Sequence, residues 1–262
     1  DWSSDVCSSD LAAVADVHEF LSAYSGASPE EFEEHLYTFY DDAAVGHLFA
    51  VAAGLDSMII GEHEILGQVR DAWQAATREQ TVSQVLSSLF RHAVESGRRV
   101  RAETGVSRHP VSISAAAVAV ATEHLGSLDG ATALVIGAGQ MGRGVARILA
   151  ERGLEHLWIA NRTESRALEV AAATGATAVP LTDLADSLVD VDVCFTSTAS
   201  TDVLLERSTV EMVMACRDGR PLLVIDIALP RDVDPGVREV NDVTLLDLDD
   251  LKGFAQRSAE HR

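Results

Sequence analysis

Residues 131–142 read Ala-Thr-Ala-Leu-Val-Ile-Gly-Ala-Gly-Gln-Met-Gly, and they restrict the possible folds strongly. The apolar run Ala131 to Ile136 suits a parallel strand covered on both faces, where polar alternation is lost. Gly137-Ala138-Gly139-Gln140-Met141-Gly142 fits G-x-G-x-x-G and opens a helical pattern that continues to about Arg152. Strand, glycine turn, then helix is the setting in which this spacing has a mechanism. Gly137 permits the tight turn, Gly139 lets the backbone approach a pyrophosphate, and Gly142 lets helix pack closely on strand. The helix start then directs free N–H groups at the phosphates. A dinucleotide site is expected at Gly137 through Gly142. A glycine turn without a ligand is the plainer alternative.

The remainder of the second half repeats the strand–helix alternation. Strands are expected at Leu154–Ala160, Ala176–Val179, Val191–Thr196, Leu222–Ile227 and Val243–Leu246, with helices at Ser114–Leu125 and Glu164–Thr174. Such alternation predicts an α/β, doubly wound Rossmann-type domain, placed at 110–247. The tip of its second strand selects the nucleotide. A site for NAD puts an acid there, on the ribose 2′-hydroxyl. This chain has Asn161-Arg162-Thr163, with Arg166 following. A guanidinium suits a 2′-phosphate, so NADP is expected over NAD. Thr196-Ser197-Thr198-Ala199-Ser200 follows the fourth strand; it reads either as a border of the nicotinamide or as an ordinary polar loop.

The first half is mainly helical in pattern. Helices are expected at Ala12–Tyr24, from Ser28-Pro29, over Asp41–Ala53, Val69–Ala76 and Val82–Arg101, with a break and domain boundary at 105–110. This defines a largely helical, α+β substrate domain over 12–109. Residues 1–11 (DWSSDVCSSDL) repeat Ser-Ser-Asp, follow no element period, and are expected to be a non-native leader. The segment 248–262 is expected to open a further C-terminal helical domain, so that the chain is truncated at both ends.

Composition narrows the class. The chain has 262 residues, 41 Asp+Glu against 20 Lys+Arg, and a net charge of −21. Hydrophobic residues at 47% provide a core and exclude a disordered acidic tail. The acidity disfavours a general nucleic-acid coater, which needs clustered positive charge. Lys252 is the only lysine, and an acidic, lysine-poor surface suits a halophilic solvent that screens self-repulsion. Cys7, Cys194 and Cys216 have no pairing or metal-ligand spacing, as expected of a cytoplasmic chain. No apolar run reaches the roughly 18 residues of a membrane helix.

Several motifs occur together: Gly46-His47-Leu48-Phe49, the segment 54–69 (GLDSMIIGEHEILGQV), the segment 105–118 (GVSRHPVSISAAAV), the GAGQMG turn, Asn161-Arg162-Thr163, and 226–232 (DIALPRD). Taken in order, they resemble the glutamyl-tRNA reductase family over about residues 12–262. The resemblance implies NADPH as cofactor, held at Gly137–Gly142, and glutamyl-tRNA(Glu) as substrate, reduced to glutamate-1-semialdehyde with release of tRNA. That reaction opens the five-carbon route to tetrapyrroles (porphyrin and haem). It gives His47, otherwise readable as a core histidine, a role in activity. It places Ser57, Glu62, His63, Glu64 and Gln68 in the pocket for the glutamyl end. Where the family commonly has Pro-Gln, this chain has His63-Glu64, an acid in place of an amide.

The family reaction starts with a Cys thiolate attacking the aminoacyl ester. That cysteine lies in a Thr/Ser-Cys-Asn-Arg motif, which this sequence does not contain, so the chain is expected to be inactive even where NADPH binds. Cys194 and Cys216 read as small apolar residues. Arg91, Arg98, Arg99, Arg101 and Arg108 cluster in an otherwise acidic chain; they read equally as a tRNA-phosphate stripe or as surface ion pairs. The resemblance also implies a homodimer, an aminomutase that receives the product, and no membrane. Two other readings stand beside it: an NADP-binding remnant without catalysis, and a shikimate-dehydrogenase-like oxidoreductase.

The charge balance makes the melting temperature salt-dependent. It should rise by several degrees between about 0.1 M and about 2 M KCl, as screening shortens the Debye length. Full stability at low salt with no gain from KCl contradicts the halophilic reading.

Overall fold

The computed structural model describes residues 2–33, 35–57, 64–104 and 112–260. The chain divides into two compact units, Asp1–Phe49 and Ala50–Arg262. This division falls inside a helix, and the break expected at 105–110 lies outside the described residues.

The first unit holds α1 (Trp2–Ser25), α2 (Pro29–Glu33) and most of α3 (Asp41–Ala53). Helix α1 begins at Trp2, so the backbone is helical through the stretch where the sequence shows no period. Neither proline nor glycine interrupts residues 2–25. Helix α2 opens as the sequence predicts: the Ser28 N–H donates to Glu31 Oε2 at 2.7 Å, with Pro29 at the first helical position.

The second unit begins with an antiparallel helix pair, α4 (Glu64–Arg78) and α5 (Gln84–Glu103). Ser83 caps α5 by accepting from the Leu86 N–H at 3.2 Å. The pair is pinned where Trp73 Nε1 donates to Ser87 Oγ at 3.0 Å. Helix α4 extends beyond the expected 69–76 at both ends, whereas α5 starts two residues after the expected Val82 and runs two residues past Arg101.

Helix α6 (Ile113–Leu125) then leads into a six-stranded parallel sheet. Its strands are β1 (Thr132–Ile136), β2 (His156–Ala160), β3 (Thr177–Val179), β4 (Val193–Thr196), β5 (Leu222–Asp226) and β6 (Val243–Leu246), in the order β3-β2-β1-β4-β5-β6. The connecting helices are α7 (Gln140–Leu149), α8 (Glu164–Thr174), α9 (Leu184–Asp190), α10 (Arg207–Ala215) and α11 (Leu248–Glu260). The Rossmann-type expectation holds. Ala133 and Val135 pack with α6, α7 and α8 on one face; Leu134 and Ile136 pack with α9 and α10 on the other. Burial on both faces is why β1 reads as an unbroken apolar run. Leu251 of α11 is buried in the same core as α6. The sequence pattern did not reveal α9 or α10; seven and nine residues are too short for a clear helical period. Among the described residues, no helix is long and apolar enough to cross a membrane.

The strand ends align. Ile136 of β1 is in register with Ala160 of β2 and Thr196 of β4. Gly137, Asn161 and Ser197 therefore emerge side by side at one edge, where the strand order reverses between β1 and β4.

On the opposite edge a buried cation ties the end of α9 to the turn between α10 and β5. Arg217 is fully buried, and its guanidinium donates to the carbonyls of Leu188 (2.5 Å), Val189 (3.0 Å), Arg220 (3.1 Å) and Pro221 (2.6 Å). Two of these acceptors lie in the last turn of α9, where carbonyls lack helical partners and the helix dipole favours a cation. Arg217→Met should cost about 2–5 kcal/mol in urea unfolding, because it strands these carbonyls. A loss below about 0.5 kcal/mol would show that water replaces the guanidinium freely.

Candidate functional site

The glycine turn is fixed by close backbone contacts. The Gly137 N–H donates to the Ala160 carbonyl at 2.8 Å, and the Ser197 N–H donates to the Ile136 carbonyl at 2.8 Å. Gly137 has φ +110°, a region that side chains disfavour, and a Cβ there would lie 2.8 Å from the Ser197 carbonyl oxygen. A Cβ on Gly142 would collide with the Gly137 carbonyl. These two glycines are required by the protein's own packing. Gly139 is different: a Cβ there would meet nothing within 4 Å. Its side faces open space at the start of α7, whose first N–H groups have no helical acceptors.

That space is part of a cleft of about 390 Å³. Gly137, Ala138, Gly139, Gln140 and Met141 line it, with Gly142 buried beneath. Asn161, Arg162, Thr163 and Arg166 line its β2 side. Asn161 ties that side to the turn: its Oδ1 accepts the Ala138 N–H at 3.1 Å, and its Nδ2 donates to the Thr163 carbonyl at 2.9 Å. Arg162 and Arg166 are exposed. Ser197, Thr198, Ala199 and Ser200 line the β4 side. Ser114, from the motif at 105–118, holds the turn from below by donating to the Met141 carbonyl at 3.1 Å. Sequence reasoning gave it no role; the signal is Gly144, where a Cβ would meet Ser114 Oγ.

Glu64 and Gln68 line the same cleft. Gln68 is exposed, whereas Glu64 is half-buried, and its Oε2 is shielded from solvent without a hydrogen-bond partner. Burial pushes its carboxyl above the usual carboxylate range. Ser57 does not line the cleft; its hydroxyl donates to the Gly54 carbonyl at 3.2 Å. Glu62 and His63 lie outside the described residues. His47 belongs to the first unit, with its ring centroid 4.7 Å from Phe39 and 5.4 Å from Tyr37. Of the arginine cluster, Arg91, Arg98 and Arg99 are exposed on α5, Arg101 is half-buried, and Arg108 lies outside the described residues. Arg99 pairs with Glu103 at 3.3 Å, one turn along the helix.

Cys194 sits inside β4 with no exposed surface. Burial, then the nearby Asp226 and Asp232, push its thiol far above the range of a nucleophile. Cys216 follows α10 and does not line the cleft.

The contrast between the glycines can be measured. Gly139→Ala should unfold within about 0.5 kcal/mol of the parent while weakening dinucleotide binding at least about tenfold. Gly142→Ala should lower stability by about 1–3 kcal/mol through overpacking. Equal effects from both substitutions would contradict the cradle.

Family comparisons agree with this geometry. Residues 119–254 match the shikimate / quinate 5-dehydrogenase family, and residues 4–104 match the glutamyl-tRNA(Glu) reductase N-terminal domain. Glutamyl-tRNA reductase from Pelotomaculum thermopropionicum is 42% identical, over 94% of this chain and 55% of its own length. The protein of that name from Rubrobacter xylanophilus is 43% identical, over 92% and 56%. The solved structure of glutamyl-tRNA reductase from Methanopyrus kandleri is 44% identical with a TM-score of 0.55, over 84% of this chain and 56% of that one. The chain thus spans a little over half the length of these relatives. Reductase-type N-terminal residues run directly into a dehydrogenase-type nucleotide domain, and both halves align together with the same relatives: over nearly its whole length the chain is similar to glutamyl-tRNA reductases.

Proposed function

We propose that these domains serve the NADPH-dependent reduction of glutamyl-tRNA(Glu) to glutamate-1-semialdehyde, with release of tRNA, at the start of the five-carbon route to tetrapyrroles, this chain binding the cofactor and the glutamyl end without containing the Thr/Ser-Cys-Asn-Arg nucleophile motif. One observation carries the reading: Gly139, the glycine that the protein's own packing does not require, faces the same cleft as Glu64 and Gln68. A phosphate cradle and a segment of the expected glutamyl pocket thus share one space. The shikimate-dehydrogenase-like alternative accounts for the cradle but not for the N-terminal match at 4–104.

The residues present fit the cofactor. The first N–H groups of α7 would hold the pyrophosphate, and Arg162 with Arg166 would hold a 2′-phosphate. When bound, NADPH supplies hydride. Gln68 offers amide donors to the carboxylate or carbonyl of the glutamyl group. Glu64, whose carboxyl burial pushes above the usual carboxylate range, turns a second hydrogen-bonding group toward the same space. When the family's Cys thiolate, whose motif this sequence does not contain, attacks the ester carbonyl and the acyl–oxygen bond breaks, His47 gives the leaving tRNA ribose oxygen its proton. The thioester step is assigned to neither Cys194, which is buried, nor Cys216, which lies off the cleft. The exposed arginines of α5 meet tRNA phosphates. A homodimer and an aminomutase that takes up the aldehyde complete the reading.

Cofactor choice tests it. The parent protein should bind NADPH at least about tenfold more tightly than NADH, and Arg162→Ala with Arg166→Ala should remove most of that preference, a loss of about 1.5–3 kcal/mol. Equal affinity for NADH and NADPH in the parent would overturn the assignment.

A further inference from the structure

Behind the β4 side of the cleft lies a pair of buried carboxylates that the reaction itself does not use. Asp226 ends β5 and is 2% exposed; Asp232, six residues on, is fully buried. Neither forms an ion pair with a cation among the described residues. Asp226 Oδ1 accepts the Thr196 hydroxyl at 2.8 Å and the Ala228 N–H at 3.0 Å. Its Oδ2 accepts the N–H groups of Asp232 (3.0 Å) and Val233 (3.1 Å). Asp232 in turn accepts the Thr198 N–H at 2.8 Å on Oδ2 and the Thr198 hydroxyl on Oδ1. The Thr198 hydroxyl oxygen accepts the Ser200 N–H at 3.1 Å. The Asp232 carbonyl also accepts from the N–H of Leu204 (2.7 Å), a further residue of the cleft wall.

Desolvation makes such carboxylates expensive, and an apolar pair would fill the same volume at lower cost. A carboxylate does what an apolar group cannot: it collects several backbone donors and leaves a loop one conformation. Burial raises the Asp232 carboxyl, the two Thr198 bonds oppose that shift, and the neighbouring Asp226 adds to it. The loop it fixes is functional on both sides. Ser197 to Ser200 face the cleft, and the Ser197 carbonyl abuts Gly137. In a doubly wound fold the two mononucleotide halves lie to either side of the strand-order reversal. Asn161 to Arg166 serve the adenosine half on the β2 side, which leaves the Thr196–Ser200 loop to the nicotinamide half.

We propose that Asp232, backed by Asp226, is a positioning residue that holds Thr196–Ser200 against the nicotinamide half of the dinucleotide. The proposal rests on the NADPH reading above and concerns one half of that ligand only.

The test measures three quantities on the full chain: affinity for NADPH, affinity for adenosine 2′,5′-bisphosphate, and the fluorescence emission of bound NADPH. Asp232→Ala should weaken NADPH about tenfold and move its emission toward that of free NADPH, while the bisphosphate affinity stays within about twofold. Asp232→Asn, which still accepts the Thr198 N–H, should recover NADPH affinity to within about threefold of the parent. Thr198→Val, a smaller change, should shift NADPH in the same direction as Asp232→Ala and serves where the alanine variant does not fold. Parallel loss of both ligands, or unchanged NADPH affinity and emission in Thr198→Val and Asp232→Ala, overturns the positioning role. A parent protein that binds neither ligand overturns the dinucleotide reading, and the proposal with it.

Discussion

The tightest constraint in the molecule is the approach of three backbone segments at the carboxyl ends of β1, β2 and β4. Gly137 has room for no side chain because the Ser197 carbonyl lies against it, and Gly142 has none because the Gly137 carbonyl does. Helix α7 can therefore start directly above the sheet, and its free N–H groups open at the point where strand order reverses. Asn161 and Ser197 then bracket the turn: Asn161 Oδ1 accepts the Ala138 N–H, and the Ser197 N–H and hydroxyl both donate to the Ile136 carbonyl. A bulkier residue at either glycine would push α7 off β1 and dissolve the cleft, whatever lined it.

From this constraint follows a division of labour around one space. The β2 side carries exposed guanidinium groups, the β4 side carries small polar residues held by buried acids, and the Glu64–Gln68 turn of α4 supplies carboxyl and amide groups. Charge is distributed accordingly. A chain of net charge −21 sets two arginines at the cleft, while the acids nearest the loop are enclosed and hydrogen-bonded. Thiol chemistry is absent from that arrangement among the described residues, since Cys194 is sealed within β4.

Much of this was legible in the sequence. Unbroken apolar runs marked the central strands because those strands are covered on both faces. The glycine spacing marked the turn because each glycine answers a distinct steric demand. The missing acid after Ala160 could be seen directly. Other features depended on contacts distant in sequence. Asp226 and Asp232 find Thr196 and Thr198 at separations of 30 and 34 residues, so the motif 226–232 could be matched to a family but not given a task. Ser114 reaches Met141 across 27 residues. The short helices α9 and α10 carry too few turns for periodicity. The burial of Glu64 Oε2 is a property of packing around the cleft, and its one-letter identity suggested only an acid in place of an amide.

Amide chemical-shift mapping during an NADPH titration tests the central claim most directly, because it reports where the ligand lies. The predicted result is a contiguous set of shifts at Ala138–Met141, Asn161–Thr163 and Ser197–Ser200, the three segments that meet at the strand ends. Saturable shifts confined to other surfaces, or none at these three segments, would contradict the cradle.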